Sequence, residues 1–73
     1  MNGTITYHLH DLRTGQNMTV RELEEKSGVS KTQINDIENG RKHPTVYTLC
    51  LLSLALDVSP YDLFTFKPEA CPQ

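Results

Sequence analysis

Apolar residues recur at helical spacing through the middle of the chain, with polar punctuation between the runs. Val20 and Leu23, then Ile34 and Ile37, then Val46, Leu49, Leu52 and Leu56 mark one buried face after another. Leu9 and Leu12 begin the series. The boundaries are written in capping chemistry. Thr19-Val20-Arg21-Glu22 and Ser30-Lys31-Thr32-Gln33 have the form of capping boxes, in which a hydroxyl accepts from the first turn and the fourth residue reaches back. Thr45 after Pro44 is a plain N-cap, and Ser59 stands before a proline suited to the first helical position. Gly15, Gly28 and Gly40 lie where helices stop. These signals predict helices at about 8–14, 20–27, 31–39, 46–56 and 60–63 sharing one core.

The two ends follow another rule. Ile5-Thr6-Tyr7 and Phe64-Thr65-Phe66 have the high β-propensity and alternation of strands, and Pro68 closes the second run. Strands this short are unstable alone, so they are expected to pair with each other. The fold class is therefore mostly α: five helices with a small antiparallel two-stranded sheet from the N- and C-terminal segments. A length of 73 residues allows a single domain over 1–73, with 68–73 as a tail, and leaves little room for an enclosed active site.

Charge changes the picture in its distribution more than its sum. The net value of −2 counts against a polyanionic partner, yet Lys26, Lys31, Arg41 and Lys42 face only Asp36 and Glu38 between Lys26 and His43. The acidic residues Glu22, Glu24 and Glu25 cluster on the second helix. No apolar run approaches the ~20 residues of a membrane span, and the start of the chain lacks a basic segment followed by an apolar one. A cytoplasmic, reduced protein is expected. Cys50 and Cys71 have no zinc-site or redox spacing, and His8, His10 and His43 lack partners at ligand spacing, so no metal or cofactor is expected. No nucleophile–base pair or carboxylate dyad stands out, which argues against an enzyme.

The informative stretch is residues 20–40, where two short helices flank Ser27-Gly28-Val29-Ser30. Such a turn holds the second helix proud of the domain with one face free. With Ile34 and Ile37 inward, Thr32 and Asp36 turn most directly outward, flanked by Lys31, Asn35 and Asn39. Polar side chains of these types donate to or accept from base edges.

The segment from about Leu9 to Phe64 resembles the Cro/CI-type, XRE-like helix-turn-helix regulators of bacteria and phages. The resemblance rests on LHDLR, the SGVS turn, IENG followed by RKHP, and LLSLALDVSPYDLF. The flanks GTITYHL and FTFKPE are similar to those of small stand-alone members, a group that includes the repressor of a cytolysin operon. It implies a five-helix, lambda-repressor-like domain at 9–64 with its helix-turn-helix at about 20–39. It also implies a homodimeric, sequence-specific regulator, a repressor on a palindromic double-stranded DNA operator, with helix 3 in the major groove. Lys31, Thr32, Gln33, Asn35 and Asp36 are then the expected base readers. Thr19, Arg41, Lys42 and Thr45 are the expected phosphate contacts, and Arg13 and Glu38 a structural ion pair. The apolar residues Tyr61, Leu63, Phe64 and Phe66 are the expected dimer interface. Neither a second, ligand-sensing domain nor a small-molecule ligand is expected. Two positions depart from the family pattern. Glu24 replaces a small residue, and Val20 replaces a polar one that touches a phosphate. The rival reading, favoured by the acidic net charge, is a protein-interaction module on the same scaffold.

Overall fold

Each predicted N-cap hydroxyl accepts from its first turn in the computed structural model, which describes residues 2–69, although at Ser30 the returning bond from Gln33 that would complete the expected box is not among the described hydrogen bonds. The order is β1 (Gly3–Tyr7), α1 (Leu9–Gly15), α2 (Val20–Ser27), α3 (Lys31–Glu38), α4 (Val46–Leu56), a 3-10 turn (Pro60–Leu63) and β2 (Phe64–Pro68). Among the described residues there are thus four α-helices rather than five. The segment after Ser59 closes by an i to i+3 bond from the Asp62 N–H to the Ser59 carbonyl, and Phe64 is already extended, so no α-turn can be completed. Of the tail assigned to 68–73, residues 70–73, Cys71 among them, lie outside the described residues.

One cluster unites every helix. Leu9, Leu23, Ile34, Ile37, Leu52, Leu56 and Leu63 are each at most 1% exposed, with Met18 and Val29 beside them. Burying each such side chain contributes about 1.5–3 kcal/mol. Val46, expected on this face, is instead 76% exposed. It is the first residue of α4, and the helix reaches the core only from Leu49 onward.

The terminal strands pair antiparallel, with Ile5 opposite Phe66 and Tyr7 opposite Phe64. Beyond the ladder, the His8 N–H bonds the Leu63 carbonyl at 2.8 Å, and His8 Nε2 lies 2.6 Å from the Thr65 hydroxyl. At the outer end the Phe66 ring lies over Gly3, and a Cβ there would push the ring aside.

An ion pair joins α1 to the end of α3. Arg13 Nε donates to Glu38 Oε2 at 2.7 Å, Nη2 donates to Oε1 at 3.0 Å, and Nη1 donates to the Met18 carbonyl at 2.8 Å. The two side chains are only 11% and 8% exposed. His10 Nδ1 lies 3.2 Å from the same carboxylate. Burial is the largest single influence on Glu38 and acts to raise its pKa, but hydrogen bonds and charge from Arg13 and His10 together hold it below the ordinary value. The Arg13 guanidinium is raised, chiefly by its hydrogen bond to Glu38.

Glu38→Ala should cost about 3 kcal/mol, because it strands the Arg13 charge in a nearly dry site. Thermal unfolding measures this directly, and an unchanged midpoint would show the pair to be idle. Because the folded carboxyl is depressed, its contribution is complete above the unfolded value of about 4.3 and is lost as pH falls through the lower folded value. Wild-type stability should therefore fall more steeply below about pH 4 than that of Glu38→Gln.

Candidate nucleic-acid interface

The angle between α2 and α3 is held by a few short bonds. Ser27, buried at the end of α2, donates its hydroxyl to the Leu23 carbonyl at 2.6 Å and accepts from the Val29 N–H at 3.1 Å. Gly28 takes a φ of 77°, the left-handed conformation that a side chain would strain. Val29, 4% exposed, plugs the corner. At the start of α3, the Ser30 hydroxyl accepts from the Gln33 N–H at 3.2 Å. Glu24 reaches across from α2, and its Oε2 accepts from the Lys31 N–H at 2.7 Å. The departure at Glu24 thus becomes a cap between helices. Its shortness as a signal, one carboxylate seven residues before the donor, hides it from any pattern search.

Around this frame the expected contact residues are spread unevenly. Lys31 and Thr32 are exposed at the start of α3, while Gln33 and Asn35 are half-buried on its flanks. Asp36 does not turn outward as expected. Its side chain is 16% exposed, with carboxylate oxygens 3.9 Å from Arg41 Nη1 and 3.8 Å from Lys42 Nζ. The loop folds back because the Arg41 N–H bonds the Asp36 carbonyl at 2.8 Å, bringing both cations to the end of α3. Arg41 and Lys42 themselves remain 70% and 73% exposed.

Thr19 and Thr45 use their hydroxyl oxygens as caps, accepting from the Glu22 and Thr48 N–H groups at 3.1 Å. The Glu22 carboxylate completes the first box from the Thr19 N–H, which lowers its pKa. Both threonines stay exposed at helix starts. Among the described residues no three His, Cys, Asp or Glu side chains gather as a metal site.

The expected dimer residues divide. Tyr61 and Phe66 are 81% and 55% exposed, and Phe64 is half-buried. Leu63 is a correction: at 1% exposure it belongs to the core. Strand-like alternation would put Tyr61 and Leu63 on one face, but a 3-10 turn has three residues per turn and separates them. Tyr61 and Phe64 instead line an apolar groove with Val46, Leu49, Cys50 and Pro60. Leu54 and Tyr47 add exposed apolar surface elsewhere on α4.

A helix-turn-helix family model matches residues 9–63, from α1 through the 3-10 turn. The chain belongs to the XRE-type helix-turn-helix family. An uncharacterized HTH-type transcriptional regulator, y4dJ of Sinorhizobium fredii, is 43% identical over 58 residues, covering 80% of this chain and 75% of that protein. The restriction-modification controller protein C.AhdI of Aeromonas hydrophila superposes with a TM-score of 0.73 at 25% identity, over 75% of this chain and 83% of its own. A putative DNA-binding protein of Bacteroides fragilis shares the fold at a TM-score of 0.76, with 21% identity over 85% of this chain and all of its own.

Glu24→Ala restores the small residue usual in this family, yet should lower stability by about 1 kcal/mol through loss of the cap on α3. Chemical denaturation tests it. A stability equal to or above wild type would mean that tighter helix packing outweighs the hydrogen bond.

Proposed function

We propose that this XRE-type protein is a sequence-specific double-stranded DNA-binding regulator, acting as a repressor and binding a palindromic operator as a homodimer with α3 in the major groove. The observation that carries the reading is the arrangement at the two ends of α3. Exposed Lys31 and Thr32 stand at its start, and Arg41 and Lys42 are drawn up beside its end by Asp36. A short polar helix bracketed by cations suits a groove lined by bases and walled by phosphates. Its similarity to an HTH-type transcriptional regulator and to a restriction-modification controller protein supports it.

Within that reading Lys31 and Thr32 meet base edges, with Gln33 and Asn35 at the margins. Lys31 suits guanine O6 and N7. Asp36 keeps the two cations aimed and repels wrong sequences instead of reading them directly. Arg41 and Lys42 hold phosphates, assisted by Thr19, Thr45 and the backbone N–H groups that open α2 and α4. Thr32→Ala should change sequence preference among duplexes selected from a random pool. Arg41→Ala should weaken all sequences and reduce the salt slope of binding by about one unit. Binding that ignores both substitutions and salt would point to the protein-interaction alternative.

One domain of this kind buries only about 600–1,000 Å² on DNA, too little for strong selectivity. A two-fold pair would present two recognition helices about 34–36 Å apart. Tyr61, Phe64 and Phe66, continuous with the groove on α4, supply an apolar patch that one subunit leaves uncovered. Sedimentation at micromolar concentration should give twice the chain mass, and Phe66→Glu should give a folded monomer with weaker operator binding. A wild-type mass of one chain, constant through a hundredfold dilution, would remove the preformed dimer.

A further inference from the structure

The loop after α3 carries a third residue of donor chemistry, His43, between Lys42 and the Pro44-Thr45 start of α4. His43 is exposed, yet its ring is not loose. Its Nδ1 is hydrogen-bonded to the Tyr7 hydroxyl at 2.8 Å, and the two rings lie tilted at 50° with centroids 5.9 Å apart. Tyr7 is the last residue of β1, half-buried, paired opposite Phe64 and packed on the core. A rigid strand end therefore holds an imidazole that belongs to an exposed loop. This is the one side-chain hydrogen bond among those described that ties β1 to the loop between α3 and α4.

The bond also sets the chemistry of the ring. The Tyr7 phenol is pushed by burial away from ionisation, so it remains a hydroxyl. When that hydroxyl donates to Nδ1, the proton of a neutral imidazole must sit on Nε2. Nδ1 and Nε2 diverge across the ring, so anchoring the first on β1 turns the second away from Tyr7. With the phenol as donor, the ring presents an Nε2–H on the same loop as exposed Arg41 and Lys42.

We propose that His43 is a further DNA-backbone contact, its Nε2–H donating to a phosphate beside those held by Arg41 and Lys42, and that Tyr7 is its positioning residue. The inference rests on the DNA-binding reading above. It gives the terminal strand pair a role at the interface: β1 sets the direction of a phosphate donor that the helix-turn-helix alone would leave free to rotate. The contact is to backbone, so it adds affinity without sequence preference.

The test uses the full chain and a random-sequence duplex at low salt, which needs no knowledge of the operator. His43→Ala should weaken binding roughly tenfold, the scale of one hydrogen bond to a charged group. His43→Gln, which keeps an N–H donor at similar reach, should retain most of the affinity. Tyr7→Phe keeps the ring and its packing but removes the hydroxyl, and it should lose affinity in the same direction. The double variant should bind no more weakly than His43→Ala, because Tyr7 acts through His43. A merely structural Tyr7 would give losses that add, and that result would overturn its positioning role, as would wild-type binding by Tyr7→Phe. Wild-type binding by His43→Ala would overturn the whole proposal while leaving the DNA-binding reading intact. Failure of the wild-type chain to bind duplex DNA would instead remove that reading, and this contact with it. If Tyr7→Phe fails to fold, the His43→Ala and His43→Gln arms still decide the phosphate contact.

Discussion

A guanidinium and a carboxylate sharing a nearly dry space hold α1 against the far end of α3. α3 is a helix of eight residues, too short to be stable by itself, and its orientation comes from what grips it. Ile34 and Ile37 grip it from below, non-directionally. Arg13 adds direction, because a bidentate pair is satisfied only over a narrow range of angles. The third guanidinium bond, to the Met18 carbonyl, ties the α1–α2 connection into the same joint. Without this joint the apolar contacts would still bury α3 but would no longer fix which polar residues face outward.

The opposite end of α3 is held by different means. Ser30 and Glu24 accept from backbone N–H groups that a short helix leaves unpaired, Ser27 accepts from the Val29 N–H in the turn, and Gly28 lets the chain turn without strain. Charge is arranged along the helix in consequence. An internal carboxylate lies at its start, beside exposed Lys31, and Asp36 gathers two cations at its end. A chain of net charge −2 can thus present exposed cations at both ends of α3, its acidic excess being spread over α2 and the segment of Asp57 and Asp62.

The terminal strands close the domain from the other side. Two-stranded pairs are marginal in isolation. Here the pair is stabilised where Tyr7 and Leu63 meet the helical core, and its outer end around Gly3 and Pro68 stays exposed. Contact between β1 and the loop bearing His43 makes the strand pair part of the same mechanical unit as α3.

Elements governed by near neighbours were legible in the sequence. The caps at Thr19, Ser30, Thr45 and Ser59, the helix stops at Gly28 and Gly40, and most of the core face follow from chemistry spanning a single turn. The family motifs placed Arg13 and Glu38 on the same joint because their spacing comes with the fold. What remained hidden depended on partners distant in sequence or on turn geometry. Glu24 became a cap because the turn at Gly28 brings the start of α3 back beside α2, and Asp36 turned aside because the following loop folds back over it. Leu63 entered the core because four residues wound as a 3-10 turn, a choice made by the strand that follows. Tyr7 and His43, thirty-six residues apart, met only when the chain ends paired. Sequence by itself determines where backbone hydrogen bonds begin and end, since those groups are satisfied locally. Tertiary structure alone decides where a charged or polar side chain points, since that depends on which distant group fills the space beside it.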